Sequence, residues 1–328
     1  LKILSMMTHT PKIEKISVFD RINASALMLL TSEYKSLEQL RRKNDYPMFP
    51  TFETTPSMPI KRTKINGVDI RYAHSEAIGK PTLVMLSPFP QSILAYAPIW
   101  SGLAEHYNLY AYDMPGFGGS AGGIEYMSFK AQGDFLKEFL NHLDIQEPHL
   151  LGPDVGMPAI VYYVGTYDND VKSLLIGDGP AINPSSNASA IRKMVDSSFW
   201  RTVFKVTGAG SLVQGCIKVC YTNYRPNQEE ISDYIASYRN RIPAVMQWFK
   251  DYPKSLATVD PLLDKIELPT QIFWGENDAI LYVDNGERLA KRMSNAELTV
   301  FKDSGHFCYQ DRYQEFSLMV KYWIDKTQ

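Results

Sequence analysis

The chain has 328 residues, 45% of them hydrophobic, with 34 basic and 36 acidic residues and a formal net charge of −2. This length allows two domains or one large domain with an insertion, and there is ample apolar material for a core. The charge balance removes any electrostatic case for nucleic acid or an anionic membrane. No run is long enough to span a bilayer, so a soluble protein acting on a small molecule is expected, with the cytoplasm favoured.

In chain order, residues 1–58 read as an N-terminal helical extension. Ser25 to Arg42 carries Leu27, Leu30, Tyr34 and Leu37 at helical spacing on one face, and proline-rich linkers follow at Pro47–Pro50 and Pro56–Pro59. From residue 59 to 180 strand and helix patterns alternate, which argues for an α/β sheet. Lys64 to Arg71 reads as a hairpin around Asn66-Gly67. Thr82–Leu86, Asn108–Tyr112, His149–Leu151 and Ser173–Gly177 are short buried strands. Residues 181–258 are helix-like and rich in Tyr, Trp and Phe. Strand patterns resume within 259–328, at Thr270–Trp274 and Glu297–Phe301. Helices inserted in such a sheet read as a cap over the carboxyl ends of the strands, where ligands bind in open α/β folds.

Most of these strands end in a motif. Ser87-Pro88-Phe89-Pro90 and Asp113-Met-Pro-Gly-Phe-Gly-Gly-Ser120 follow the first two buried strands. The third runs into Gly152-Pro153-Asp154-Val155-Gly156, where glycines flank a central acid between a strand and a helix-like segment, the layout of a nucleophile elbow. Gly275-Glu-Asn-Asp278 and Ser304-Gly-His306-Phe307 complete the order nucleophile, acid, histidine. An aspartate at the elbow points to a carboxylate that attacks an sp3 carbon and forms an enzyme ester. Alone, Asp154 would read as a helix cap and Asp278 or His306 as turn residues; their joint placement favours chemistry. Asp178 is a rival acid after an earlier strand. The glycine-rich tail of Asp113 reads as a structural turn, not a phosphate loop. The three cysteines, Cys216, Cys220 and Cys308, form no disulfide framework. Cys216 and Cys220 are spaced to share a helix face, but with no histidine near them in sequence they read as buried thiols and not a metal site.

Over roughly residues 60–328 the chain resembles the α/β-hydrolase superfamily, and its elbow aspartate resembles the branch of epoxide hydrolases, haloalkane dehalogenases and fluoroacetate dehalogenases. The resemblance implies a mostly parallel eight-stranded sheet flanked by helices, with an inserted helical cap. It makes Asp154 the nucleophile, His306 the base that activates water, Asp278 the acid that orients His306, and the amides of Phe89 and Val155 the oxyanion hole. Trp200, Tyr238, Trp248 and Phe249 are the expected substrate-binding residues. No metal or organic cofactor is implied, and a homodimer is left open. The segment usually written His-Gly-x-Pro is Ser87-Pro88-Phe89-Pro90 here. Val155 stands where haloalkane dehalogenases carry Trp, and Phe249 where epoxide hydrolases carry the second of two proton-donating tyrosines. Tyr221, Tyr224, Tyr234, Tyr238 and Tyr252 are further candidate donors. The expected reaction is epoxide hydrolysis, with carbon–halogen hydrolysis or an altered, ligand-binding member of the fold as alternatives.

Overall fold

The computed structural model describes residues 34–180 and 190–328. Its elements are α1 (Tyr34–Lys43), β1 (Ile60–Ile65), β2 (Val68–Ser75), β3 (Thr82–Leu86), α2 (Ala97–Ala104), β4 (Asn108–Tyr112), α3 (Phe129–His142), β5 (His149–Pro153), α4 (Gly156–Thr166) and β6 (Ser173–Gly177). There follow α5 (Ala190–Asp196), α6 (Ser198–Cys220), α7 (Gln228–Tyr238), α8 (Ile242–Ala257), β7 (Thr270–Gly275), α9 (Asp284–Arg292), β8 (Ala296–Phe301), α10 (Cys308–Asp311) and α11 (Tyr313–Lys326). The predicted amphipathic helix is seen as α1, with Leu37 buried; its earlier part, with Leu27 and Leu30, lies outside the described residues.

Among the described residues the strands form one sheet of eight, ordered β1-β2-β4-β3-β5-β6-β7-β8. β1 and β2 form the antiparallel edge, joined at Asn66-Gly67, where φ is 50° and 83°, as a tight hairpin requires. From β4 to β8 all neighbours run parallel. Crossovers between parallel strands place helices against the sheet, and α3 packs with α4 and α2 with α11. Strands β5, β6 and β7 are buried along their whole length, so they read as apolar runs and not as alternating patterns. Parallel strands end together, and this brings the loops at Ser87, Asp113, Asp154, Asp178 and Asp278 to one rim of the sheet.

Helices α5 to α8, which lie between β6 and β7 in the chain, are joined to the rest by apolar packing and by a set of polar contacts. Arg71 on β2 donates from Nε to Asp113 Oδ2 at 2.5 Å and from both terminal nitrogens to Asp233 on α7, at 2.6 and 3.0 Å. Asp113 also accepts from the amides of Ile93 and Gly119, both at 2.9 Å, so its loop is structural as expected. Arg241, just before α8, donates to the carbonyls of Gly118 and Ser120. The N-terminal segment joins in through Arg41 of α1, whose guanidinium donates to the carbonyls of Ile217 and Tyr221 at the end of α6.

Removing one partner of a buried ion pair leaves a charge without compensation and costs about 3–5 kcal/mol. Arg71→Met should therefore lower the free energy of unfolding by about that amount, because Asp113 is buried and would lose its counter-ion. Urea denaturation of the two proteins checks this, and a loss under about 1 kcal/mol would show that the network carries little stability.

Candidate active site

Strand β5 enters α4 through a turn in which Asp154 adopts φ of 50°, the left-handed region that few side chains occupy. Short polar residues tolerate it best, and the flanking glycines make room for it. A Cβ on Gly152 would lie 2.6 Å from Ile160 Cδ1, and one on Gly156 would lie 3.0 Å from Leu86 Cβ. The turn is fixed by a hydrogen bond from Asp154 N to the Gly177 carbonyl at 3.0 Å. The side chain then stands clear of its own backbone, at the carboxyl rim of the sheet.

The two oxygens of that carboxylate meet different surroundings. Oδ2 accepts a hydrogen bond from the amide of Phe89 at 2.6 Å. Oδ1 faces His306 Nε2 at 3.8 Å. On its other side His306 is held by Asp278, with 2.8 Å between Nδ1 and Oδ2. Asp278 Oδ1 accepts from the amides of Ile280 and Leu281 at 2.8 and 2.9 Å, which fixes the acid in turn. All three side chains are buried. Burial opposes a positive charge on His306, but the charge of Asp278 and the bonds and charge of Asp154 outweigh it and raise the imidazole well above its ordinary 6.5.

Asp178 does not contact His306 as a triad acid would. It follows β6 with φ of 44° and accepts from the Gly275 amide at 2.9 Å, while Asp278 alone bonds Nδ1. Burial, then the nearby charge of Asp278, pushes the Asp178 carboxyl well above the usual carboxylate range, which favours its neutral form beside the Asp278–His306 pair.

A cavity of about 100 Å³ opens above Asp154 and His306. Its walls are apolar, with Phe89 and Ile280 from the rim and Ile191, Phe204, Leu212 and Phe249 from α5, α6 and α8. Of the four expected substrate-binding residues, Phe249 lies on this wall and the other three do not. Tyr238 is spent on the scaffold, where its hydroxyl accepts from the Gly118 amide at 3.1 Å and donates to the Gln91 carbonyl at 3.2 Å. Trp248 packs behind the wall among Phe89, Phe117 and Phe249. Trp200 packs on Phe199. Tyr221 and Tyr224 are engaged with Gln310 and Glu230. Val155 is buried just ahead of α4 and makes no hydrogen bond to the carboxylate among the described residues, whereas Phe89 does so despite Pro88. Cys216 and Cys220 on α6, expected as buried structural thiols, also line the wall. Their four-residue spacing was visible, but their facing was not.

The model of the alpha/beta hydrolase fold family matches residues 81–313, which contain the elbow, the acid and the histidine. The chain belongs to the α/β-hydrolase fold family. The monoacylglycerol lipase ABHD6 of Mus musculus is 23% identical over 277 residues, covering 77% of this chain and 82% of that protein. A 2-hydroxy-6-oxononadienedioate/2-hydroxy-6-oxononatrienedioate hydrolase of Cupriavidus pinatubonensis is 25% identical, over 66% of this chain and 76% of its own. Among solved structures, the haloalkane dehalogenase DbeA of Bradyrhizobium elkani superposes with a TM-score of 0.71 at 17% identity, over 83% of this chain and 99% of that one. The protein is accordingly a hydrolase of this fold. Among the described residues no helix is long and apolar enough to cross a membrane, and no group of three or more His, Cys, Asp and Glu side chains is placed to hold a metal.

A group that holds its proton more tightly folded than unfolded makes stability fall as pH rises from its unfolded to its folded pKa. Asp178 is such a group, so its contribution falls from about pH 4 upward. Asp178→Asn keeps the acceptor for Gly275 and removes the ionisation. The variant should gain on the wild type as pH rises from 5 to 9 in a series of melting temperatures. Parallel curves would show that Asp178 is already ionised in the fold.

Proposed function

We propose that the protein hydrolyses a small, largely apolar substrate through an ester between Asp154 and an sp3 carbon, and that the substrate is an epoxide opened to a diol. The observation that carries this reading is a carboxylate, not a hydroxyl, at the elbow, with one oxygen held by Phe89 N and the other facing the cavity beside His306. Attack of a carboxylate on a carboxylic ester would yield a mixed anhydride at the cost of expelling an alkoxide. The lipase named among the relatives is therefore a poor guide to this chain's chemistry.

The geometry supports two half-reactions. In the first, Asp154 Oδ1 displaces the ring oxygen from carbon, and Oδ2 becomes the carbonyl oxygen of the new ester. Esterification abolishes one of the two negative charges that hold the proton on His306. The imidazole then loses that proton more easily, which turns it into a base at the stage where water must be activated. In the second, water attacks the ester carbon, His306 takes its proton, and the developing negative charge on Oδ2 meets the Phe89 amide, already at hydrogen-bond distance. Asp278 keeps the imidazole in the tautomer and orientation this requires.

Carbon–halogen hydrolysis is the second reading. It is favoured by the lack of any tyrosine on the cavity wall among the described residues, because a halide departs without a proton. The likeness to haloalkane dehalogenases supports the fold alone.

Loss of the base should let the first half-reaction run and stall the second. His306→Gln incubated with panels of epoxides and haloalkanes should accumulate an adduct that maps to Asp154 by intact-protein and peptide mass spectrometry. An adduct with the mass of the whole epoxide supports the first reading, and an alkyl adduct without halogen from the haloalkanes alone supports the second. Asp154→Ala should abolish both turnover and adduct; retained turnover would remove Asp154 from the mechanism.

A further inference from the structure

In an in-line displacement the departing group leaves the carbon on the side away from the attacking oxygen. His306 Nε2 stands 3.8 Å from Oδ1, on the attacking side, so it is poorly placed to protonate an oxygen leaving into the cavity. An alkoxide released against apolar walls nevertheless needs a proton as it forms. The tyrosines that the sequence offers do not line the cavity among the described residues, and Tyr238 is held by Gly118 and Gln91. Apart from His306, the acidic hydrogens on the described walls are the thiols of Cys216 and Cys220, one helical turn apart on α6 and interacting with each other. Both cysteines are free.

We propose that Cys216 and Cys220 form the acid that protonates the oxygen displaced when Asp154 opens an epoxide. This rests on the reading of Asp154 as the alkylated nucleophile. A thiol is a stronger acid than a phenol and a far stronger one than an alcohol, so transfer to an alkoxide is downhill. Burial, then the contact with Cys216, raises the Cys220 thiol well above its ordinary value, which keeps it protonated at neutral pH. The low acidity that makes this thiol a poor nucleophile is what lets it keep a proton to give.

The protons balance. The carboxylate forms the C–O bond, the ring C–O bond breaks, and its electron pair takes a proton from a thiol, leaving an ester, a hydroxyl and a thiolate. The imidazolium, its partner charge on Asp154 now gone, releases its proton to restore the thiol. Neutral His306 then takes a proton from water as the ester is hydrolysed. The carboxylate, imidazolium and thiol of the resting site return together, and the net change is epoxide plus water to diol.

The test uses the His306→Gln protein, in which the ester accumulates, with and without Cys216→Ala and Cys220→Ala. Each is reacted with a terminal epoxide and with the bromoalkane of the same chain length, and the rate of adduct formation at Asp154 is read by peptide mapping. A well-placed general acid is worth about 10²–10⁴ in rate. The double cysteine substitution should slow the epoxide by about 100-fold or more, while the bromide, which needs no proton, changes by less than about threefold. An unchanged epoxide rate overturns the proposal, as does an equal fall with both reagents, which would mean that the thiols only shape the cavity. If neither reagent labels Asp154 when the cysteines are intact, the nucleophile reading itself fails.

Discussion

The arrangement of the site depends on one backbone angle. Asp154 sits at φ of 50° between a buried strand and a buried helix, a conformation that costs a side-chain-bearing residue about 1 kcal/mol. The surrounding packing holds it there because β5 and α4 close to a distance that only glycine allows at 152, and β3 and α4 leave little room for a side chain at 156. From that angle follow the outward carboxylate, its bond to Phe89, and its approach to His306. An extended backbone at the same position would send the side chain elsewhere and leave His306 and Asp278 as an isolated pair.

The second organising fact is how charge is apportioned among buried groups. Three carboxyls and one imidazole occupy a small volume and are compensated in different ways. Asp278 is matched by backbone amides and the imidazole, Asp154 by Phe89 and the imidazole, while burial favours the neutral form of Asp178. One positive charge is shared between two negative ones, so a change at Asp154 is felt at once by His306. A site with a neutral elbow nucleophile would lack this coupling, because its histidine would rest with one negative neighbour instead of two.

Much of the fold was legible because the central strands β5, β6 and β7 are buried along their whole length and the parallel strands end in recognisable turns. Strand starts, the Asn66-Gly67 hairpin and the order of elbow, acid and histidine all follow from local pattern. Asp278 and Asp178 could not be separated in that way, since both follow a strand by a few residues and only the three-dimensional distance to His306 decides. The aromatic residues between β6 and β7 were harder still. Trp248 and Phe249 are adjacent in sequence, yet one faces the cavity and the other packs behind it. Both lie on the broad buried face of α8, and periodicity finds that face without saying which part of it is the ligand's. The thiols were hidden for the same reason.

The bonds that join α7 and α8 to the sheet gather along one margin. Arg71 to Asp233, Tyr238 to Gly118 and Gln91, and Arg241 to the carbonyls of Gly118 and Ser120 all fasten the same stretch of loop and strand. Further along the roof, α6 is interrupted at Gly208, where φ is 78°. The end of α6 is fastened as well, since Asp311 accepts from the amides of Thr222, Asn223 and Tyr224 and the Cys220 carbonyl accepts from the Phe307 amide. An opening that spares all these bonds would lift Phe204, on the far side of the crease, more readily than Cys216 or Cys220. A molecule entering by that route would meet the carboxylate with the thiols already in position.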